Sequence, residues 1–207
     1  SLNAAAAGRS VILGGSNTFS GDVTVSAGTL SLGGFSPNVA GNWDATGGVF
    51  TSTGTVTFNA TSGTISIIPG GVDADHDFQN IVFNDAAGTA TFQLGGAIDV
   101  DGDFTVTDGI FDTTGTNYAV TVAGILSDSA NGRFKANAST ITVGGNVSLN
   151  ANNDATESAD FNGASLVLNG AASQITYSSL NAGWNNGFNN LTVGAAGVTD
   201  SLNSSLS

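Results

Sequence analysis

Residues 55–84 of this chain return at 165–194 with a constant offset of 110. Thr55-Val56-Thr57-Phe58-Asn59 matches Ser165-Leu166-Val167-Leu168-Asn169, Ile65 matches Ile175, and Phe78-Gln79-Asn80-Ile81 matches Phe188-Asn189-Asn190-Leu191. The apolar positions keep their phase without a gap, so the chain reads as a stack of similar units. A shorter period runs inside the long one: Gly, then Asn or Asp, then an apolar residue. It occurs at Gly21-Asp22-Val23, Gly41-Asn42-Trp43, Gly102-Asp103-Phe104 and Gly145-Asn146-Val147, with a weaker Gly124-Ile125-Leu126. The steps from Gly21 to Gly41, from Gly102 to Gly124 and from Gly124 to Gly145 are nearly equal, and the long interval from Gly41 to Gly102 reads as three further steps of the same length.

Between these marks lie short alternating segments such as Val23-Thr24-Val25, Leu30-Ser31-Leu32, Val56-Thr57-Phe58, Ile98-Asp99-Val100, Val120-Thr121-Val122 and Ile141-Thr142-Val143. Alternation places the apolar set on one face and Thr, Ser or Asp on the other, the pattern of a half-buried strand. Paired glycines such as Gly33-Gly34, Gly70-Gly71 and Gly144-Gly145 punctuate them as corners. Antiparallel hairpins need no common step length, whereas a parallel coil does, because each strand must lie over its predecessor. The near-constant step therefore predicts an all-β, parallel β-solenoid of about ten turns, roughly 45–50 Å long at the usual strand spacing. Residues 1–207 read as one domain, with N-terminal turns at 1–40 and repeat units at approximately 41–144 and 145–207, the second truncated.

Composition narrows the partners. Three basic residues (Arg9, Arg133, Lys135) stand against sixteen acids, and the formal net charge of −13 argues against nucleic acid and anionic membrane as partners. Cysteine is absent, which excludes disulfides and thiolate chemistry. Methionine is absent too, so the chain is expected to be a processed product or an excised piece, with any export signal already removed.

The order Gly54-Thr55-Val56-Thr57-Phe58-Asn59, Ile65, Phe78-Gln79-Asn80-Ile81-Val82-Phe83, Ala87-Gly88-Thr89, Val100-Asp101-Gly102-Asp103-Phe104-Thr105-Val106 and Gly109-Ile110-Phe111-Asp112-Thr113-Thr114-Gly115 resembles the repeats of large bacterial surface proteins of the autotransporter and filamentous-adhesin kind. The second copy, through Phe188-Asn189-Asn190-Leu191-Thr192-Val193, resembles the same unit. The resemblance implies a secreted, right-handed parallel β-solenoid (a right-handed β-helix) at the cell surface, used as a stalk, adhesin or fibre, with no catalytic motif to carry over. Two departures are expected to bulge from the rod: a six-residue insertion between Val147 and Ser165, relative to Trp43 and Thr55, and the segment 69–77.

Two acidic alternations are the candidate chemistry: Asp73, Asp75 and Asp77, and Asp99, Asp101 and Asp103. In extended strands each set would project from one face, where Ca²⁺ could bridge the carboxylates; the bland reading is a solvated outer face. His76 is the only histidine, so a triad or multi-histidine metal site is not expected, and it reads as an exposed residue. Arg133 and Lys135, two apart, form the only basic cluster, too little to steady an acidic polysaccharide, so no enzyme is expected. Trp184 stands among amides as a candidate for stacking on a sugar ring, while Trp43 and Phe188 read as core. The expected role is a structural or adhesive segment of an extracellular fibre, stalk, sheath or filament. It would associate end to end with copies of itself or with flanking repeats of a longer chain. The alternative is a carbohydrate-binding or carbohydrate-processing solenoid that contacts surface glycans.

Overall fold

The computed structural model describes residues 1–149, 159–161, 163–171, 174–177, 188–194 and 201–202. Every strand pairing among them is parallel. The chain winds as a β-solenoid in which most turns supply three short strand segments, and like segments stack into three faces.

On the first face lie the first half of β1 (Leu2–Ile12) and of β3 (Val23–Gly33), then β5 (Trp43–Asp44), β8 (Gly63–Ile68) and β10 (Ala90–Leu94). It continues through the second halves of β12 (Phe104–Asp112) and β14 (Leu126–Lys135). Leu2, Val23, Trp43, Ile67 and Leu94 stack in register there, followed by Phe92, Phe111 and Phe134. The second face takes the later halves of β1 and β3 with β6 (Val49–Ser52). It resumes at β11 (Ile98–Val100), β13 (Val120–Val122), β15 (Thr140–Val143), β17 (Ser165–Leu168) and β19 (Asn190–Val193). The third holds β2 (Thr18–Phe19), β4 (Asn38–Val39), β7 (Thr55–Phe58), β9 (Asn80–Asn84), the first halves of β12 and β14, β16 (Val147–Leu149), β18 (Gln174–Tyr177) and β20 (Ser201–Leu202).

The parallel solenoid is thus observed, but with about eight turns rather than ten. The contour of a turn varies: partners in register stand as near in sequence as Val39 and Phe58 and as far apart as Val147 and Ile175. The interval from Gly41 to Gly102 does not make three turns. Trp43 begins the third turn on the first face, whereas Phe104 ends the fifth on the third face, so the interval spans two and two-thirds turns of longer contour. The long repeat behaves alike. Val56 lies on the third face, paired with Ile81, while its counterpart Leu166 lies on the second, between Ile141 and Leu191. Ile65 on the first face likewise corresponds to Ile175 on the third. The two copies are displaced by one face.

The recurrent Gly-Asn/Asp mark is a corner clamp between turns. Asp22 Oδ1 accepts the Asn42 N–H at 2.8 Å, and Asn42 Oδ1 accepts the Ser66 N–H at 2.8 Å. Further along, Asn80 Oδ1 accepts the Asp103 N–H at 2.9 Å and Asp103 Oδ1 the Ile125 N–H at 2.8 Å. A side-chain oxygen therefore satisfies a backbone donor that the corner takes out of the strand ladder. The preceding glycine allows the approach: at Gly124 an added Cβ would collide with the backbone of Gly102 and the carboxylate of Asp103.

Inside, equivalent positions carry aromatics that touch from turn to turn. Trp43 meets Phe50 at a ring-centroid distance of 5.0 Å and Phe78 at 5.3 Å; Phe58 meets Phe83 at 5.4 Å and Phe83 meets Phe104 at 5.3 Å. The column continues through Phe134 and Phe161 to Phe188. Trp43 is core as expected, and Phe188 is partly buried against Phe161. The Trp43 Nε1 has no oxygen partner among the described residues, and the indole stands edge-on to the rings of Phe50 and Phe58. Fully buried Phe83 touches four other phenylalanines.

Two substitutions test this packing by chemical denaturation. Phe83→Ala is expected to destabilise the chain by about 3–5 kcal/mol, the range for emptying a large aromatic site. Gly124→Ala is expected to destabilise by about 2 kcal/mol through backbone overlap, while Gly115→Ala, with open space at its Cα, should stay within about 0.5 kcal/mol of the parent.

Candidate functional site: an acidic corner and a paired basic cluster

Between β8 and β9 the chain leaves the first face at Pro69 and reaches the second only at Phe78. The intervening Asp73-Ala74-Asp75-His76-Asp77 is a turn, not a strand. The Asp73 carbonyl accepts the His76 N–H at 2.8 Å, and Asp73 Oδ1 accepts the Asp75 N–H at 3.2 Å. This corrects the expected alternation of three carboxylates on one face. The segment does not bulge freely either, since the Asp75 carbonyl accepts the Phe50 N–H of the preceding turn at 2.8 Å. His76 is drawn in with it: its side chain is only 14% exposed, Nδ1 lies 2.6 Å from Asp73 Oδ1, and Nε2 lies 3.0 Å from the Gly48 carbonyl oxygen. The expectation of an exposed histidine is therefore wrong. The apolar positions around it explain why, because the Phe50 ring meets the imidazole edge-to-face at 6.4 Å.

The second acidic set is split by the end of a strand. Asp99 belongs to β11, while Asp101 and Asp103 lie beyond it in the corner, where the Asp103 carboxylate is engaged as the clamp on Ile125. A parallel bridge between Phe78 and Val100 places Asp77 beside Asp99. Burial, followed by repulsion from Asp99, Asp101 and Asp73, pushes the Asp77 carboxyl up to about 6. Its Oδ1 is enclosed without a hydrogen-bond partner among the described residues. Burial, then Asp101, also raises Asp99, while the hydrogen bond from His76 holds Asp73 below the usual carboxylate value. The six carboxylates thus have different tasks. Among the described residues no group of three or more His, Asp or Glu side chains is arranged to hold a metal ion.

Two engaged carboxylates lie outside the candidate set drawn from the sequence. Fully buried Asp85 accepts N–H groups from Ala87 at 2.9 Å, Thr89 at 2.5 Å and Ala90, wrapping the turn that launches β10. The signal for it is Asp85-Ala86-Ala87-Gly88-Thr89, an Asp-initiated turn. Asp112 is the second: Lys135 Nζ lies 2.9 Å from its Oδ2, and Asn137 Nδ2 and the Thr114 N–H donate to its Oδ1, each at 2.7 Å. Burial would raise its pKa, but Lys135, Thr114 and Asn137 together outweigh burial and hold it low. Arg133 donates to Asp160 at 2.9 Å. The only basic cluster therefore rivets three successive turns, with Lys135 reaching back to Asp112 and Arg133 forward to Asp160. Both cations are engaged in ion pairs between turns.

Trp184 lies outside the described residues, as does 150–158, which holds most of the insertion expected before Ser165. No family model matches the chain, and neither the curated proteins nor the solved structures contain a match to it.

Asp77 ionises less readily in the fold than at its ordinary value of 3.8. The associated stability is therefore full below about pH 4 and lost as pH rises through about 6. Asp77→Asn is expected to be more stable than the parent by about 1 kcal/mol at pH 7.5, after discounting for solvent screening, with the gain vanishing near pH 4. Paired urea denaturations at both pH values check this.

Proposed function

We propose that this chain is a structural or adhesive segment of a bacterial extracellular surface fibre, stalk, sheath or filament, and that it works without catalysis. The observation that carries the reading is the stack itself, in which successive turns present strand to strand and the first strand offers an open side. Among the described residues β1 pairs with β3 alone. Leu2 and Leu13 donate their N–H groups to Asp22 and Ser31 of the next turn, so by the alternation of a parallel strand the amides of Asn3 and Ile12 point the other way. Ile12 is 74% exposed, and a groove of about 340 Å³ lined by residues including Ala4, Ala6, Arg9 and Val11 runs along this end. Such an edge takes a further parallel strand, supplied by another copy or by flanking repeats of a longer chain.

The chemistry of the sides supports a mechanical role. The sole histidine serves a turn, the basic cluster is paired internally, and the net charge of −13 keeps rods apart laterally. The low Lys and Arg content leaves few sites for trypsin-like proteases, which suits a location outside the cell.

Analytical ultracentrifugation and electron microscopy over a concentration series test the reading. The parent is expected to form linear end-to-end species. Asn3→Pro combined with Ile12→Pro, which removes outward donors and keeps the backbone ladder to β3 while giving up the Ser26 hydroxyl contact to the Asn3 side chain, should leave folded single rods. A parent that stays monodisperse with no fibres, while binding a glycan array, would replace this function with the carbohydrate reading.

A further inference from the structure

The second face is interrupted at one level. Among the described residues β6 pairs with β3 only, and β11 pairs with β13 and meets the preceding turn through the single Phe78–Val100 bridge. Residues 69–77 occupy the gap. Two contacts fasten them to the turn before: the Phe50 N–H to the Asp75 carbonyl, and His76 Nε2 to the Gly48 carbonyl. Glycines make the seat for the ring, since a Cβ at Gly70 or Gly71 would press on the imidazole, and Gly70 also adopts a φ of +97°.

Both oxygens facing the ring, Gly48 O and Asp73 Oδ1, are acceptors. A ring that satisfies both carries hydrogen on both nitrogens. Removing either proton turns a lone pair toward an oxygen, so one of the two contacts becomes repulsive. The charged groups around the segment are all acidic: Asp73, Asp75 and Asp77 within it, Asp44 on the turn before, and Asp99 and Asp101 on the turn after. The bases lie elsewhere, Arg9 on the first turn and Arg133 and Lys135 on the seventh. Among the described residues His76 is the one cation beside Asp77, and its pull is outweighed by burial and by repulsion from Asp99, Asp101 and Asp73.

We propose that residues 69–77 form a proton-operated clasp: a His76 ring with hydrogen on both nitrogens holds the segment to Gly48 and Asp73, and loss of one of these protons releases it from Phe50. The ladders on the other two faces are continuous at this level, so the rod stays intact while one wall opens. The direction agrees with the upward displacement of Asp77 described above.

Amide hydrogen exchange of the full chain at pH 5 and pH 7.5, corrected for the intrinsic pH dependence of exchange, tests the clasp. Protection of Phe50 and residues 75–78 is expected to fall about tenfold between the two conditions, the equivalent of one pKa unit. Val122 and Phe104 should not change. His76→Gln and Asp77→Asn should each shrink the fall. Equal protection of Phe50 at both pH values, or an undiminished fall in both variants, overturns the proposal. If His76→Gln does not fold, the ring ¹⁵N shifts of the parent decide: two protonated nitrogens giving way to one in step with Phe50 exchange support the clasp. A ring that keeps one protonation state throughout overturns it.

Discussion

Register between successive turns governs this molecule. Among the described residues no strand segment has a hairpin partner, and each finds its ladder partners in the turns above and below, so inward residues must line up over intervals as different as Val39 to Phe58 and Val147 to Ile175. Once they do, burial and hydrogen bonding reinforce one another: Phe83 in register with Phe58 and Val106 both extends a ladder and fills the core. The Asp and Asn clamps serve the same end at the corners, where the ladder is broken and donors would otherwise face no acceptor.

Much of this is legible in the residues, and the part that is not has a physical cause. Alternation at Val23-Thr24-Val25 or Ile141-Thr142-Val143 identifies a strand and its inward side because the side-chain period of a strand is two. It does not identify which face the strand joins, since all three faces alternate alike. The interval from Gly41 to Gly102 therefore reads as three turns when it is two and two-thirds. The site is less legible than the fold. Asp73, Asp75 and Asp77 look like a strand in sequence, but His76 folds the segment into a turn by reaching back to Gly48, a distant contact that no local pattern reveals. The rivets from Lys135 to Asp112 and from Arg133 to Asp160 are equally non-local.

The acids illustrate how one residue type is divided among tasks by environment. Asp22 and Asp103 clamp corners, Asp85 wraps a turn from a fully buried position, and Asp112 anchors a lysine. Asp77 is left facing like charges, the one described acid placed well above the ordinary range. An acidic composition read only as solubility would miss that most of these carboxylates accept backbone or side-chain donors.

The one-face displacement of the long repeat bears on how such a rod displays its exterior. Thr57 and its counterpart Val167 look outward from different walls. Duplicating a stretch whose length is not a whole number of windings turns the copy's decoration around the circumference, like a thread advanced by a partial twist. Growth of the array by this unit would therefore spread a surface motif helically, giving partners access from several directions instead of along a single stripe.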